Sequence, residues 1–401
     1  MRCPRCASLV LLLASLAGCG LRLGPTPVRP VAEAPALQRL LDPRPGPSHP
    51  EWLGGDVATS TALDRDRFVW IFGDTLLGHV KRDCPPPTPY CGRDVEGAAD
   101  DVMIANSVGV MQRQGSGFAP LVPVWRTASG QPAPLFEAER PDEFLWPLAA
   151  VRTGGPLLVA ASVHTRAFGL FSLASVLVRV HNPDDPPARW RYDRFSLPNA
   201  IVSTGGRPQL SWATALVPDG RGLVHVVGEH GTGPGSHTVL ARFSADGVGD
   251  ATWRPALEYL LVRDGKPVWE RNFEEARLYH VPGLPGISET TFHRAGDGRW
   301  RSYRVPPGTF EIRLFIGDAL AGPWRDAGVV YRIPAPWSTT KSADGSAAFA
   351  AYAAKAHPEL GSPDTPAITY NVNVATGDFD HAIRIAEQYP AFYVPRLLAT
   401  P

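Results

Sequence analysis

Beyond its first residues the 401-residue chain has no apolar run long enough to cross a bilayer, no excess of charge and few cysteines. Basic and acidic side chains balance at 39 each, and no basic run occurs locally, so electrostatics gives no reason to expect a nucleic-acid partner. There is no His-Glu-x-x-His, no Gly-Lys-Ser phosphate loop and no Gly-x-Ser-x-Gly elbow, which removes three common hydrolytic and nucleotide chemistries. His225, His230 and His237 are close in sequence, but Gly231-Thr-Gly-Pro-Gly235 between the last two reads as a mobile loop, and no metal site is expected there. That glycine pattern also lacks the following helix that a dinucleotide site needs. Convincing helices of a dozen residues or more are absent.

What is present begins with an address. Met1 to Gly18 carries Arg2, Arg5 and the run Ser8-Leu-Val-Leu-Leu-Leu-Ala-Ser-Leu16, a secretory signal too short to span stably. Its end, Leu16-Ala17-Gly18-Cys19, resembles the bacterial lipobox, which implies cleavage before Cys19 and lipidation of its sulfur. Several acyl chains at about 0.8 kcal/mol per buried methylene make a stable anchor. The alternative is a plain secretory signal with an incidental cysteine. Loss of the signal removes two arginines and leaves a net charge of −2. Residues 19–50, with prolines at 25, 27, 30, 35, 43, 45, 47 and 50, read as an extended tether. The expectation is a monomer held to the bacterial cell envelope, with the outer membrane favoured. Of five cysteines, two remain for the body: Cys84 and Cys91, flanking Pro85-Pro-Pro-Thr-Pro-Tyr90. In an oxidising compartment they read as one short disulfide, while a metal site lacks partners at finger-like spacing.

The body is written in strands. Runs of Val, Leu, Phe and Ala are bounded by Asp-Gly, Gly-Gly and Asn-Pro turns, with 42 Pro, 39 Gly and 37 aromatic residues. Trp146–Val163 and Trp212–Glu229 align without a gap, each reading strand, tight turn, strand. A third copy runs from Thr61 to Asp74, and fainter ones start near 288 and 344. Four-stranded propeller blades need about 40–50 residues plus loops, so the spacing predicts an all-β, five-bladed β-propeller over residues 51–395.

In a propeller, residues that begin the innermost strands point into one mouth of a central channel. Gly54-Gly55-Asp56 opens the first blade's inner strand and Gly73-Asp74 ends its second, so one antiparallel hairpin carries both carboxyls to one rim. Each follows a glycine, which permits close approach to the backbone. The competing reading is that both acids merely cap turns.

Trp52-Leu-Gly-Gly-Asp56-Val-Ala-Thr-Ser60 with Val69-Trp-Ile-Phe-Gly-Asp74-Thr75 resembles the opening blade of a family of secreted five-bladed propellers that includes bacterial endo-D-arabinanases, glycoside hydrolase family 183. Ala353-Ala-Lys355-Ala-His357-Pro-Glu359 and Thr369-Tyr-Asn371-Val-Asn373 look like its closing blade, and Ile316-Gly-Asp-Ala-Leu-Ala-Gly-Pro-Trp324 resembles a strand ending of arabinan-active propellers. The resemblance implies hydrolysis of a furanose polymer, D-arabinan foremost, without a cofactor (an axial structural cation is left open) and with inversion favoured. It puts Asp56 and Asp74 in the positions of the acidic pair, Asp56 as base and Asp74 as acid, with the roles open to exchange. Glu289 is the candidate third acid, with Glu229 second. Trp146 and Trp212 are candidate sugar platforms or inter-blade packing. Asn106, Lys355, His357, Asn371 and Asn373 are candidate hydroxyl partners or turn residues. The competing function is a non-catalytic propeller that binds a glycan or protein at the same mouth.

Overall fold

The computed structural model describes residues 29–44, 50–81, 101–153, 155–165, 172–200, 209–231, 235–287, 289–338, 349–374 and 393–400. The expected signal, Cys19, Cys84 and Cys91 lie outside them. The described chain is all-β with one four-residue α-helix, Pro35–Gln38. Its strands form five antiparallel sheets of four or five strands that follow one another along the chain, plus a three-stranded sheet and a separate hairpin.

The first sheet starts with Thr59–Ala62 and Arg67–Phe72, the second with Glu143–Arg152 and Leu157–Thr165, the third with Leu210–Pro218 and Leu223–His230. The fourth starts with His293–Arg294 and Trp300–Arg304, the fifth with Phe349–His357 and Ala367–Val374. The two hairpins expected at Trp146 and Trp212 form as antiparallel pairs, Trp146 opposite Ser162 and Ser211 opposite Glu229.

Sheets interlock through shared apolar cores. Val69 and Ile71 pack with Val159 and Val178, joining first to second. Leu158 and Ala160 pack with Trp212 and Val226, joining second to third. Val227 and Leu240 meet Phe315 and Trp324, third to fourth, while Leu314 and Ile316 meet Ile368 and Tyr370, fourth to fifth. Trp70 and Phe72 pack with Ala367 and Leu397, fifth to first. A strand enclosed on both faces needs no polar alternation, which is why Leu157–Thr165 is buried at every position.

The tether boundary requires correction. Ala32–Glu33 pairs with Arg396–Ala399 as the outermost strand of the fifth sheet, and Val31 and Leu41 are buried. The proline count suggested a solvated spacer. Its few apolar residues instead cover the edge of the last sheet, and each such burial contributes about 1.5–3 kcal/mol. No helix among the described residues is long and apolar enough to cross a membrane.

Candidate active site

Asp56 occupies the bend between strands Glu51–Gly55 and Thr59–Ala62, and Asp74 the bend between Arg67–Phe72 and Thr75–Gly78. Backbone hydrogen bonds tie the bends together: Asp56 N–H donates to Asp74 O (3.1 Å) and Gly73 N–H donates to Asp56 O (3.2 Å). The two bends, and the acids on them, are therefore held side by side.

Their surroundings come from distant parts of the chain. Asp56 Oδ2 accepts from the Tyr352 hydroxyl at 3.1 Å and the Tyr393 hydroxyl at 3.3 Å. Trp146 Nε1 donates to Asp74 Oδ1 at 2.6 Å. Glu289 stands close enough to feel the Asp56 charge, and Lys355 acts on both Asp56 and Glu289. Lys355 is fully buried, its Nζ donating to Thr59 Oγ1 and to Leu148 O (2.6 Å). This junction joins the first, second and fifth sheets at one point.

The backbone around Asp56 is strained. Among the described non-glycine residues with positive φ are Val57 (64°), Ala58 (44°), Ala353 (53°) and Tyr393 (67°). Two directly follow Asp56, one follows Tyr352, and the last is the second hydroxyl donor. A β-branched residue at positive φ is an outlier costing about 1–3 kcal/mol, and such costs gather where geometry is over-determined for function. The fifth sheet's first strand also bulges between Tyr352 and Lys355, a device that re-aims side chains beside sites. Gly73 is required by space, because a Cβ there would lie 2.4 Å from Asp56 Oδ1. Gly73→Ala is expected to displace that carboxyl and lower activity by at least about 10-fold, since about 1 Å of misplacement can cost about 10²-fold; turnover and Tm measured together separate this from unfolding.

The carboxyls differ in proton affinity. Burial raises Asp56, but the two tyrosine hydroxyls and Lys355 oppose it, leaving it at about 6. Burial, then the Asp56 charge, pushes Asp74 well above the carboxylate range, with the Trp146 N–H opposing. Burial and Asp56 raise Glu289 to about 8, and burial lowers Lys355 to about 8. Unequal affinity among neighbouring carboxyls is what divides acid from base at one pH. Asp56 Oδ1, Glu289 Oε2 and Asn371 Oδ1 are buried acceptors without a partner among the described residues; O–H donors, from water or a sugar, would satisfy them.

Other candidates fall elsewhere. Trp212 is wholly buried against Tyr259 (5.6 Å between ring centroids), so it is core and not a sugar platform. Trp146 remains at the site, engaged to Asp74. Asn106 is buried and satisfied by Phe136 and Leu145, stapling a loop to the second sheet. His357 is buried between Ser60 and Thr369 with its ring 4.5 Å from Trp70, leaving nothing for substrate. Lys355 is likewise internal. Asn371 donates to Gly55 O at 3.3 Å, beside Asp56, while Asn373 accepts from its neighbour's N–H. Glu229 is raised by burial, with Ser236 and Arg304 opposing, and does not join the Asp56 group. His230 meets His280 (3.0 Å) and Glu275, and His237 stacks on His280, while His225 lies apart against Trp269. Among the described residues no group of three or more His, Cys, Asp or Glu is arranged to hold a metal. Tyr352 and Tyr393 were missed because a tyrosine in a strand-rich chain reads as core.

Fold and site together define an all-β protein whose interlocked sheets gather buried carboxyls at the ends of their strands. Residues 47–396 match the family model described as Domain of unknown function (DUF5005), and the chain belongs to that family. That description names no activity. Among solved structures, a Bacteroides ovatus protein proposed to be a hydrolase is 15% identical, with a TM-score of 0.65 over 92% of this chain and 89% of its own. A GH43_1 enzyme from Xanthomonas citri complexed with xylose is 12% identical (TM-score 0.41, 92% and 93% covered). A Coprinopsis cinerea GH62 α-L-arabinofuranosidase catalytic domain is 8% identical (TM-score 0.44, 93% and 97% covered). The first likeness is one of fold, and none of the three speaks to substrate. No curated protein sequence matches the chain.

Proposed function

We propose that this protein is a glycoside hydrolase built on a five-bladed β-propeller, exported and lipid-anchored through Cys19 in the cell envelope, cleaving furanosidic linkages in an extracellular polysaccharide, endo-acting D-arabinan hydrolysis being the leading case. One observation carries the reading: Asp56, Asp74 and Glu289 share a water-poor site in which burial and mutual repulsion set their protons apart. The successive sheets and their cyclic set of shared cores support the blade arrangement.

Asp56 is the base. Its affinity near 6 leaves it ionised at neutral pH, and the Tyr352 and Tyr393 hydroxyls aim it. It takes a proton from water as the water oxygen bonds to the anomeric carbon. The glycosidic C–O bond breaks, and the Asp74 proton goes to the departing oxygen. The Trp146 N–H occupies Asp74 Oδ1, leaving the other oxygen to carry that proton. Any negative charge that Glu289 carries raises Asp74 further and so keeps Asp74 from ionising early. Orphaned Asp56 Oδ1 is a seat for the attacking water.

The test is release of reducing ends from D-arabinan, L-arabinan and galactan by the purified mature protein, with 1H NMR of the first-formed anomer giving the stereochemistry. Release from none of them sinks the hydrolase and favours a binding module. The pH profile is a second check. Below about 6 Asp56 gains a proton and the base is lost; on the alkaline side activity falls where Asp74, held well above the carboxylate range, finally ionises. Activity should peak between those limits. Stability runs the other way. A carboxyl raised in the fold stabilises fully only below its unfolded value near 4.5, and that contribution is lost as pH rises through its folded value. Glu289→Gln is therefore expected to impair turnover yet raise Tm by about 2–5 °C at pH 7, read by calorimetry at pH 5 and 7, with the gain at pH 7 the larger.

A further inference from the structure

A cleft of about 1110 Å³ is lined by Asp74 but not by Asp56. Its walls include Glu137, Glu139, Arg140, Glu143 and Phe144. That volume exceeds what one sugar fills and lies at the upper end for enclosed small-molecule sites. Phe144 is half-buried, its ring stacked at 5.6 Å and 20° on His164 and edge-on at 5.4 Å to Trp146. Trp146 in turn holds Asp74. One rigid aromatic assembly therefore links the cleft wall to the proton donor, fixing the distance from ring to leaving oxygen.

The charge of the wall is one-sided. Besides protonated Asp74, three carboxylates line the cleft (Glu137, Glu139 and Glu143) against one guanidinium, Arg140, while Arg126 pairs with Glu137 from outside the lining. Arg140 is already engaged, its guanidinium meeting Asp142 at 3.2 Å and Glu143 at 3.6 Å. With Asp142 sharing Arg140 and Glu139 in no ion pair among the described residues, a polyanion entering here would meet a net negative wall at short range, which costs more in a recess than on open surface. Hydroxyl groups, by contrast, donate readily to carboxylates, and the apolar face of a sugar suits an aromatic ring.

We propose that this cleft seats the leaving-group side of an uncharged polysaccharide, with the sugar bonded to the departing oxygen lying on the Phe144 ring and the acidic wall rejecting uronate, sulfated or phosphorylated chains. The inference rests on the hydrolase reading with Asp74 as acid, and it adds the substrate's charge class and the residue that holds its departing half. Phe144 is a binding residue here, with no proton to transfer.

Binding separates this inference from turnover. The Asp56→Asn protein is titrated by calorimetry with arabino-, xylo- and galacto-oligosaccharides of two to six residues, and with oligogalacturonates of matching length. Affinity for at least one neutral series should rise with length, with oligogalacturonate at least about 10-fold weaker, and a second substitution, Phe144→Ala, should cost about 10-fold while Phe144→Tyr restores it. Glu139→Lys should narrow the gap between neutral and anionic chains. Equal binding of oligogalacturonate, indifference to Phe144→Ala, or binding of no chain at all overturns the proposal. Wild-type protein that binds neutral chains through Phe144 but releases nothing keeps the subsite and defeats only the hydrolase.

Discussion

Asparagine at position 56 is expected to lower glycan hydrolysis by about 10²–10⁴-fold, the range that a positioned general base supplies, with the fold intact. Asparagine is nearly isosteric, still accepts from Tyr352 and Tyr393, and removes a charge that burial opposes, so Tm should hold or rise. Added azide or formate should restore part of the rate by replacing the missing base. Asp74→Asn should lose as much on a polymer but little on an aryl furanoside, whose departing phenolate needs no proton. The split between substrates assigns the two roles. Should Asp74→Asn instead suffer equally on both, and Glu289→Gln show the split, the proton donor is Glu289. Activity that survives both aspartate substitutions would remove the pair from the mechanism altogether.

Trp212→Ala carries the largest expected cost in stability, about 3–5 kcal/mol. The side chain is fully buried in the core between the second and third sheets, against Tyr259 and Gly228, and the cavity left behind has few flexible neighbours. Urea unfolding should show a lower midpoint with an unchanged slope. At temperatures where the variant remains folded, KM should stay near wild type. A variant of normal stability with raised KM would return Trp212 to the role of sugar platform.

Trp146 and Trp212 bracket what composition could reveal. They start equivalent hairpins, and their flanking sequences are alike, so local reading treats them as one kind of residue. Trp212 packs inward between sheets, while Trp146 meets Asp74 because the first sheet's second strand ends beside it. The difference lies in what the neighbouring sheet presents. Lys355 and His357 were misread for a related reason. A cation and an imidazole on an inner strand look like substrate partners until Thr59, Leu148, Ser60 and Thr369 consume their hydrogen bonds. Tyr352 and Tyr393 had no legible signal, since their phenols reach Asp56 across sequence separations of 296 and 337 residues.

The strand-and-turn pattern, the repeat of hairpins and the pairing of the bends that carry Asp56 and Asp74 were legible in the sequence. Those follow from alternation, turn residues and one short antiparallel pairing, all local. The tertiary structure alone decided which buried groups surround the acids, how far each carboxyl is raised, and that the segment around Ala32 closes the last sheet. Those depend on desolvation and Coulomb interaction over a few ångströms between residues hundreds of positions apart, which no local pattern encodes.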